Sequence, residues 1–182
     1  MKTVEVRRHT MRRKPTVHLS TEGIELANFA GARMGNYDRV FTSSLPRSIE
    51  TAIAMGYEVT ECIEKLGSIP EEILAKLNWP NTLQAISDVI KTNYDCFQFA
   101  KQQASIWFDC INDLPDESRV LIISHGGIIE LGALGSNCLN DYSATIGAFG
   151  YCEGFCLEYR DAECVNFNLQ LMPEKRRLIS NK

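Results

Sequence analysis

Three short segments of this chain carry residues that could do chemistry. Arg8-His9 closes the run from Val4 to Thr10, and further cations follow at Arg12, Arg13 and Lys14. Ser43-Ser44-Leu45-Pro46-Arg47 follows a second β-type stretch, and Ser124-His125-Gly126-Gly127 follows a third. An arginine fork matches two phosphate oxygens at once. An imidazole can attack or shuttle a proton near neutral pH. Glycines after a strand let backbone amides approach a ligand, and a helix N-terminus adds partial positive charge. Each segment also has an ordinary explanation: a solvated basic N-terminus, a helix cap, a turn with a satisfied histidine. Two of the chain's three histidines nevertheless stand in these segments. Together the segments describe an anion site with a nucleophile in it.

The elements that must position them are legible. Val4 to Arg7 reads as a first strand. Ser20 is a helix cap with Glu22 in the first turn; Ile24, Ala27, Gly31 and Met34 share one face, and Gly35-Asn36 closes the helix. Val40-Phe41-Thr42 is a second strand, after which Ser44 can cap a helix with Pro46 in its first turn. Val59 to Cys62 is a third strand, and a short helix spans Glu71 to Leu77. Residues 82–114 read as two helical pieces. Ile86, Val89 and Ile90 are core in the first, and Phe97, Ala104, Trp107, Phe108 and Ile111 in the second. Val120 to Ile123 is a strand buried on both faces, and a helix through Ile128, Ile129, Leu131 and Leu134 follows. A hairpin then alternates through Phe155, Leu157 and Tyr159, turns at Arg160-Asp161-Ala162, and alternates again through Val165, Phe167, Leu169 and Leu171. Residues 172–182, with Lys175, Arg176 and Arg177, read as a solvated tail. This order predicts an α/β three-layer sandwich whose central sheet is mainly parallel, with an antiparallel C-terminal edge. In such a sheet ligands bind beyond the carboxyl ends of the strands, where all three segments fall.

The length of 182 residues suits one domain, 1–182. A formal net charge of −4 argues against a nucleic-acid partner. The basic N-terminal cluster on that acidic background suggests a small anionic ligand instead. Seven cysteines, odd in number and scattered without a Cys-x-x-Cys pair, read as reduced thiols in a reducing compartment. No histidine lies near Cys152 and Cys156, which argues against a zinc site. No apolar signal region follows the basic N-terminus, and no apolar run is long enough for a bilayer. The expectation is a soluble, cytoplasmic protein without a membrane partner. Gly126-Gly127 satisfies neither the dinucleotide glycine pattern nor the Gly-Lys-Ser/Thr phosphate loop.

Arg8-His9, then Leu19-Ser20-Thr21-Glu22-Gly23, then Ser43 to Arg47 with Thr51-Ala52, then Ser124 to Gly127 resembles the histidine phosphatase superfamily, with its phosphoglycerate mutase-like fold. The order and spacing match over roughly residues 3 to 170. The resemblance implies that His9 is a nucleophile accepting a phosphoryl group, and that Arg8, Arg47 and His125 hold its oxygens. It implies a phosphomonoester or phosphoramidate hydrolase that needs no metal or other cofactor, acting on a small phosphorylated substrate or a phosphoprotein. Thr10 stands where the family usually has Gly. It is expected, with Ser44, Gly126 and Arg12, among the substrate-binding residues, and the cations of the loop 12–14 are expected to meet a remote anionic part of the substrate. The family commonly has a Glu as general acid after the third strand; alignment puts Gly67 or Ser68 there. Glu71 or Glu72 is the expected substitute, with Glu64 preceding them. Two alternatives stay open: a phosphoglycerate-type mutase, and a non-catalytic phosphoanion-binding module. The sequence does not give the oligomeric state.

Overall fold

A computed structural model describes residues 1–138 and 147–180. Six strands form one sheet in the order β3-β2-β4-β1-β5-β6, where β1 is Lys2–Arg8, β2 Arg39–Thr42, β3 Glu61–Cys62, β4 Arg119–Ser124, β5 Gly154–Arg160 and β6 Glu163–Gln170. Neighbours among β3, β2, β4 and β1 run parallel. β5 pairs antiparallel with β1, and β6 with β5. This is the mainly parallel sheet with an antiparallel C-terminal edge that the sequence predicts. The hairpin turns where expected, with Asp161 and Ala162 both at positive φ, 49° and 69°.

Side-chain alternation along the strands builds two cores. Val4, Val6, Phe41, Val120 and Ile122 face one side. Helices α3 (Glu71–Leu77), α4 (Leu83–Thr92), α5 (Tyr94–Asn112) and α6 (Ile128–Gly135) cover that side, with Trp107 fully buried among them. Val40, Leu121 and Ile123 face the other, covered by α1 (Thr21–Gly31) and α2 (Pro46–Ala54). The result is three layers. Glu5, an odd residue for a central strand, is buried where it accepts hydrogen bonds from Arg7 Nε (2.7 Å) and the Tyr37 hydroxyl (2.6 Å). Both its carboxylate oxygens are thereby satisfied, as a buried charge requires. Among the described residues no helix is long and apolar enough to cross a membrane.

Local expectations are corrected in several places. Helix α1 buries Gly23, Leu26, Ala27 and Ala30 and ends at Gly31, so Ile24 is 45% exposed. The Ser20 cap does form, its Oγ accepting the Gly23 N–H at 3.1 Å. Ser44 does not cap α2: the cap position is Leu45, without a side-chain bond, and Ser43 Oγ accepts the Leu45 N–H at 3.3 Å. Phe97 is exposed rather than core. Not all thiols are free, because Cys138 and Cys164 form a disulfide joining the end of α6 to β6. The C-terminal segment is not a solvated tail over residues 172–180. Met172 is buried, and Arg177 pairs with Glu153, whose side chain is fully buried. Residues 181 and 182 of that expected tail lie outside the described residues.

Candidate active site

The three chemical segments follow β1, β2 and β4, which are neighbours in the sheet. Their side chains therefore converge at one end of it. The His9 N–H donates to the Ser124 carbonyl at 2.9 Å, and the Ser43 N–H to that of Ile123 at 3.1 Å. These bonds carry the sheet ladder to the site, so the imidazole and the Ser43 loop start from fixed backbone.

His9 is buried, and its two ring nitrogens differ. Nδ1 lies 2.6 Å from the Thr10 carbonyl oxygen, which can only accept, so Nδ1 carries the proton. Nε2 keeps its lone pair, and Arg47 Nε–H donates to it at 3.2 Å. Burial, then Arg8, pushes the His9 pKa down to about 3; Arg47 and Arg12 act in the same sense, against the Thr10 hydrogen bond. The site thus holds a neutral imidazole with its nucleophilic nitrogen aimed at a guanidinium.

His125 faces His9, with ring centroids 4.8 Å apart. Its Nε2 is 2.7 Å from Ser43 Oγ and 3.1 Å from Ser48 Oγ, while the buried Nδ1 has no partner. A serine hydroxyl donating to Nε2 leaves the ring proton on Nδ1. Burial, then His9 and the two arginines, holds this histidine well below its ordinary pKa.

Arg8 is clamped. Its guanidinium lies 4.7 Å from the Trp79 ring centroid and 4.3 Å from that of Tyr151. Nη1 donates to the carbonyls of Phe149 (2.9 Å) and Ile179 (2.6 Å), and the buried Nε has no partner. Trp79 is itself tied by its Nε1–H to Glu130 at 3.2 Å. Glu130 is fully buried and also accepts the backbone N–H groups of Gly127 (2.6 Å) and Phe149 (3.1 Å). A Cβ at Gly126 would stand 2.3 Å from Trp79 Cζ2, so the ring and the glycine require each other. Gly127, at φ +85°, occupies the left-handed region that favours glycine.

These groups line a cavity of about 450 Å³. Its walls include Arg8, His9, Arg12, Lys14, Arg47, His125 and Gly126, with Leu74, Trp79, Tyr151 and Ser180. Four cations and, among the described residues, no carboxylate line it. Against a net charge of −4, the cavity concentrates positive charge at one end of the sheet.

Other candidates fall outside it. The Thr10 hydroxyl donates to the Gly23 carbonyl at 3.0 Å, and its N–H donates to Thr51 Oγ1 at 3.0 Å. The residue is fully buried, bracing α1 and α2 against the end of β1, and does not line the cavity where it was expected to bind substrate. Ser44 is exposed and not part of the wall. Glu71 and Glu72 lie exposed in the first turn of α3, whose Leu74 reaches the cavity in their place. Among the described residues no cluster of three or more His, Cys, Asp or Glu side chains is placed to hold a metal ion. Sequence reasoning missed Trp79, Tyr151 and Glu130. Only Glu130 left a signal, as a carboxylate inside an otherwise apolar helix.

The model of the histidine phosphatase superfamily (branch 1) matches residues 2–140. The chain belongs to the histidine phosphatase superfamily. Solved structures share its fold at low identity. Phosphoserine phosphatase from Entamoeba histolytica, in complex with 3-phosphoglyceric acid, is 18% identical with a TM-score of 0.66; the match covers 92% of this chain and 97% of that one. A mycobacterial glucosyl-3-phosphoglycerate phosphatase, in complex with VO3, is 16% identical with a TM-score of 0.58, covering 94% and 98%. YhfR from Bacillus stearothermophilus is 18% identical with a TM-score of 0.58, covering 94% and 96%. Comparison with curated proteins gives no match.

Proposed function

We propose that this histidine phosphatase superfamily member hydrolyses a small phosphomonoester through a phosphohistidine on His9. The observation that carries the reading is the polarity of the His9 ring: Nδ1 protonated on the Thr10 carbonyl, and Nε2 bare and facing Arg47. In the first step Nε2 attacks phosphorus in line, the phosphorus–oxygen ester bond breaks, and the leaving oxygen takes the bond's electrons. In the second, water attacks phosphorus, the phosphorus–nitrogen bond breaks, and inorganic phosphate leaves with His9 neutral again. Charge spread over the equatorial oxygens is met by Arg8, Arg47 and His125 Nδ1–H.

The absence of a carboxylate among the described wall residues supports a narrower reading. A leaving oxygen that no acid protonates must depart as an anion, so turnover favours ester leaving groups of low pKa, such as aryl oxygens; a phosphoramidate already protonated on nitrogen departs as a neutral amine. Arg12 and Lys14, on the same wall, favour a substrate with a second anionic group. Phosphoserine and 3-phosphoglycerate derivatives, bound by or acted on by structural neighbours, carry such a second anion on an alkyl leaving group, so a first panel sets them against aryl phosphates. The lack of a carboxylate among the described wall residues also favours a second reading, a phosphoanion-binding module without turnover. Hydrolysis of aryl phosphates by the wild type and His9→Ala separates the two. Turnover lost in the variant supports the enzyme. Equal rates exclude His9 as the nucleophile, and phosphate binding without turnover in the wild type supports the module.

A further inference from the structure

Ser180 closes part of the cavity wall, and the segment 172–180 that carries it is held by an ion pair whose carboxylate is fully buried. Glu153 is fully buried at the mouth of β5. Its carboxylate accepts the Gly150 N–H (2.6 Å), the Met172 N–H (3.1 Å) and Arg177 Nε–H (2.8 and 3.0 Å to the two oxygens). One carboxylate thereby ties the turn at Gly150, the exit of the hairpin and the C-terminal segment together. The Tyr151 N–H donates to the Leu178 carbonyl at 2.8 Å, and the next carbonyl, Ile179, accepts from Arg8 at 2.6 Å. Ser180 then lines the cavity. The chain of contacts runs without a gap from Glu153 through Arg177 to Arg8. The backbone closes the circle: the Arg8 N–H donates to the Glu153 carbonyl at 2.8 Å, and the Cys152 N–H to the Arg8 carbonyl at 3.1 Å.

We propose that Arg177 is a positioning residue for the phosphate site: paired with Glu153, it docks residues 172–180 so that the Ile179 carbonyl fixes the Arg8 guanidinium. With Nη1 spent on two carbonyls and the Trp79 and Tyr151 rings against its guanidinium, Arg8 presents its remaining edge, including the partnerless Nε, in one orientation. The inference rests on Arg8 holding phosphate. It adds a linkage: docking of the segment strengthens phosphate binding, so phosphate must strengthen docking by the same factor.

The wild-type chain tests this directly. Lys175 and Arg176 are exposed tryptic sites within the docked segment. Cleavage there is followed with and without saturating inorganic phosphate, whose binding is measured separately by calorimetry. Phosphate is expected to slow cleavage at these sites several-fold. Arg177→Leu is expected to weaken phosphate binding about tenfold and raise KM more than it lowers kcat, and Arg177→Lys to recover part of the loss. Phosphate binding without protection, or undiminished phosphate affinity in a folded Arg177→Leu, overturns the positioning role alone. Failure of the wild type to bind phosphate overturns the reading of the site and this inference with it.

Discussion

At the residue scale, the decisive feature is a histidine kept neutral by its surroundings. Its pKa of about 3 in the folded chain lies below the ordinary value of 6.5, mainly through burial. The unfolded chain therefore binds more protons between those values, and stability must rise with pH across that window and be fully present above it. His125 acts in the same direction. Denaturant midpoints measured at pH 7.5 and 4.5 are expected to fall at the lower pH, and to fall less in His9→Ala, which has nothing to titrate there. Equal falls would show that His9 is not held neutral. That Arg8, His9, Arg47 and His125 line one cavity was legible in the sequence because each lies at the carboxyl end of a strand or in the segment that follows one. Thr10 could not be read correctly. Its hydroxyl bonds the Gly23 carbonyl, a residue on a helix whose docking no local pattern gives.

At the element scale, the site depends on glycine allowing close approach between α6 and the loop before α4. Gly126 has no room for a methyl group beside Trp79, and Trp79 stacks on Arg8. Gly126→Ala is expected to push the ring off the guanidinium, lower kcat/KM and cost about 1–3 kcal/mol of stability through overpacking. Kinetics with chemical denaturation check both. Intrinsic fluorescence helps, since Trp107, the other tryptophan, is fully buried in the core. Unchanged kinetics would remove Trp79 from the account of the site. Strand and helix order were legible here because periodicity is local. The α1 face was misjudged because Ile24 and Ala27 fit a helical stripe equally well whichever side docks. The C-terminal segment was misread because its run of cations looks solvated, and the Glu153 that pairs with Arg177 lies on the far side of a hairpin.

At the scale of the whole molecule, an acidic protein gathers cations at one end of its sheet, and long-range ties hold the surrounding segments. The Cys138–Cys164 disulfide is one such tie, invisible in a scattered odd set of cysteines because pairing depends on the fold. Alkylation under denaturing, non-reducing conditions is expected to modify five cysteines and spare two. Reduction is expected to lower stability by about 3 kcal/mol, from the loop-closure entropy returned to the unfolded chain. Seven modified cysteines would place all the thiols in the reduced state.

The central claim is that the phosphoryl group passes through His9 Nε2. Enzyme mixed with an aryl phosphate, quenched in alkali to preserve a phosphoramidate and digested for mass spectrometry, tests it most directly. The phosphoryl adduct is predicted on the peptide containing His9, lost on brief acid treatment and absent from His9→Ala. Turnover with no adduct, or with an adduct on another residue, would contradict the account.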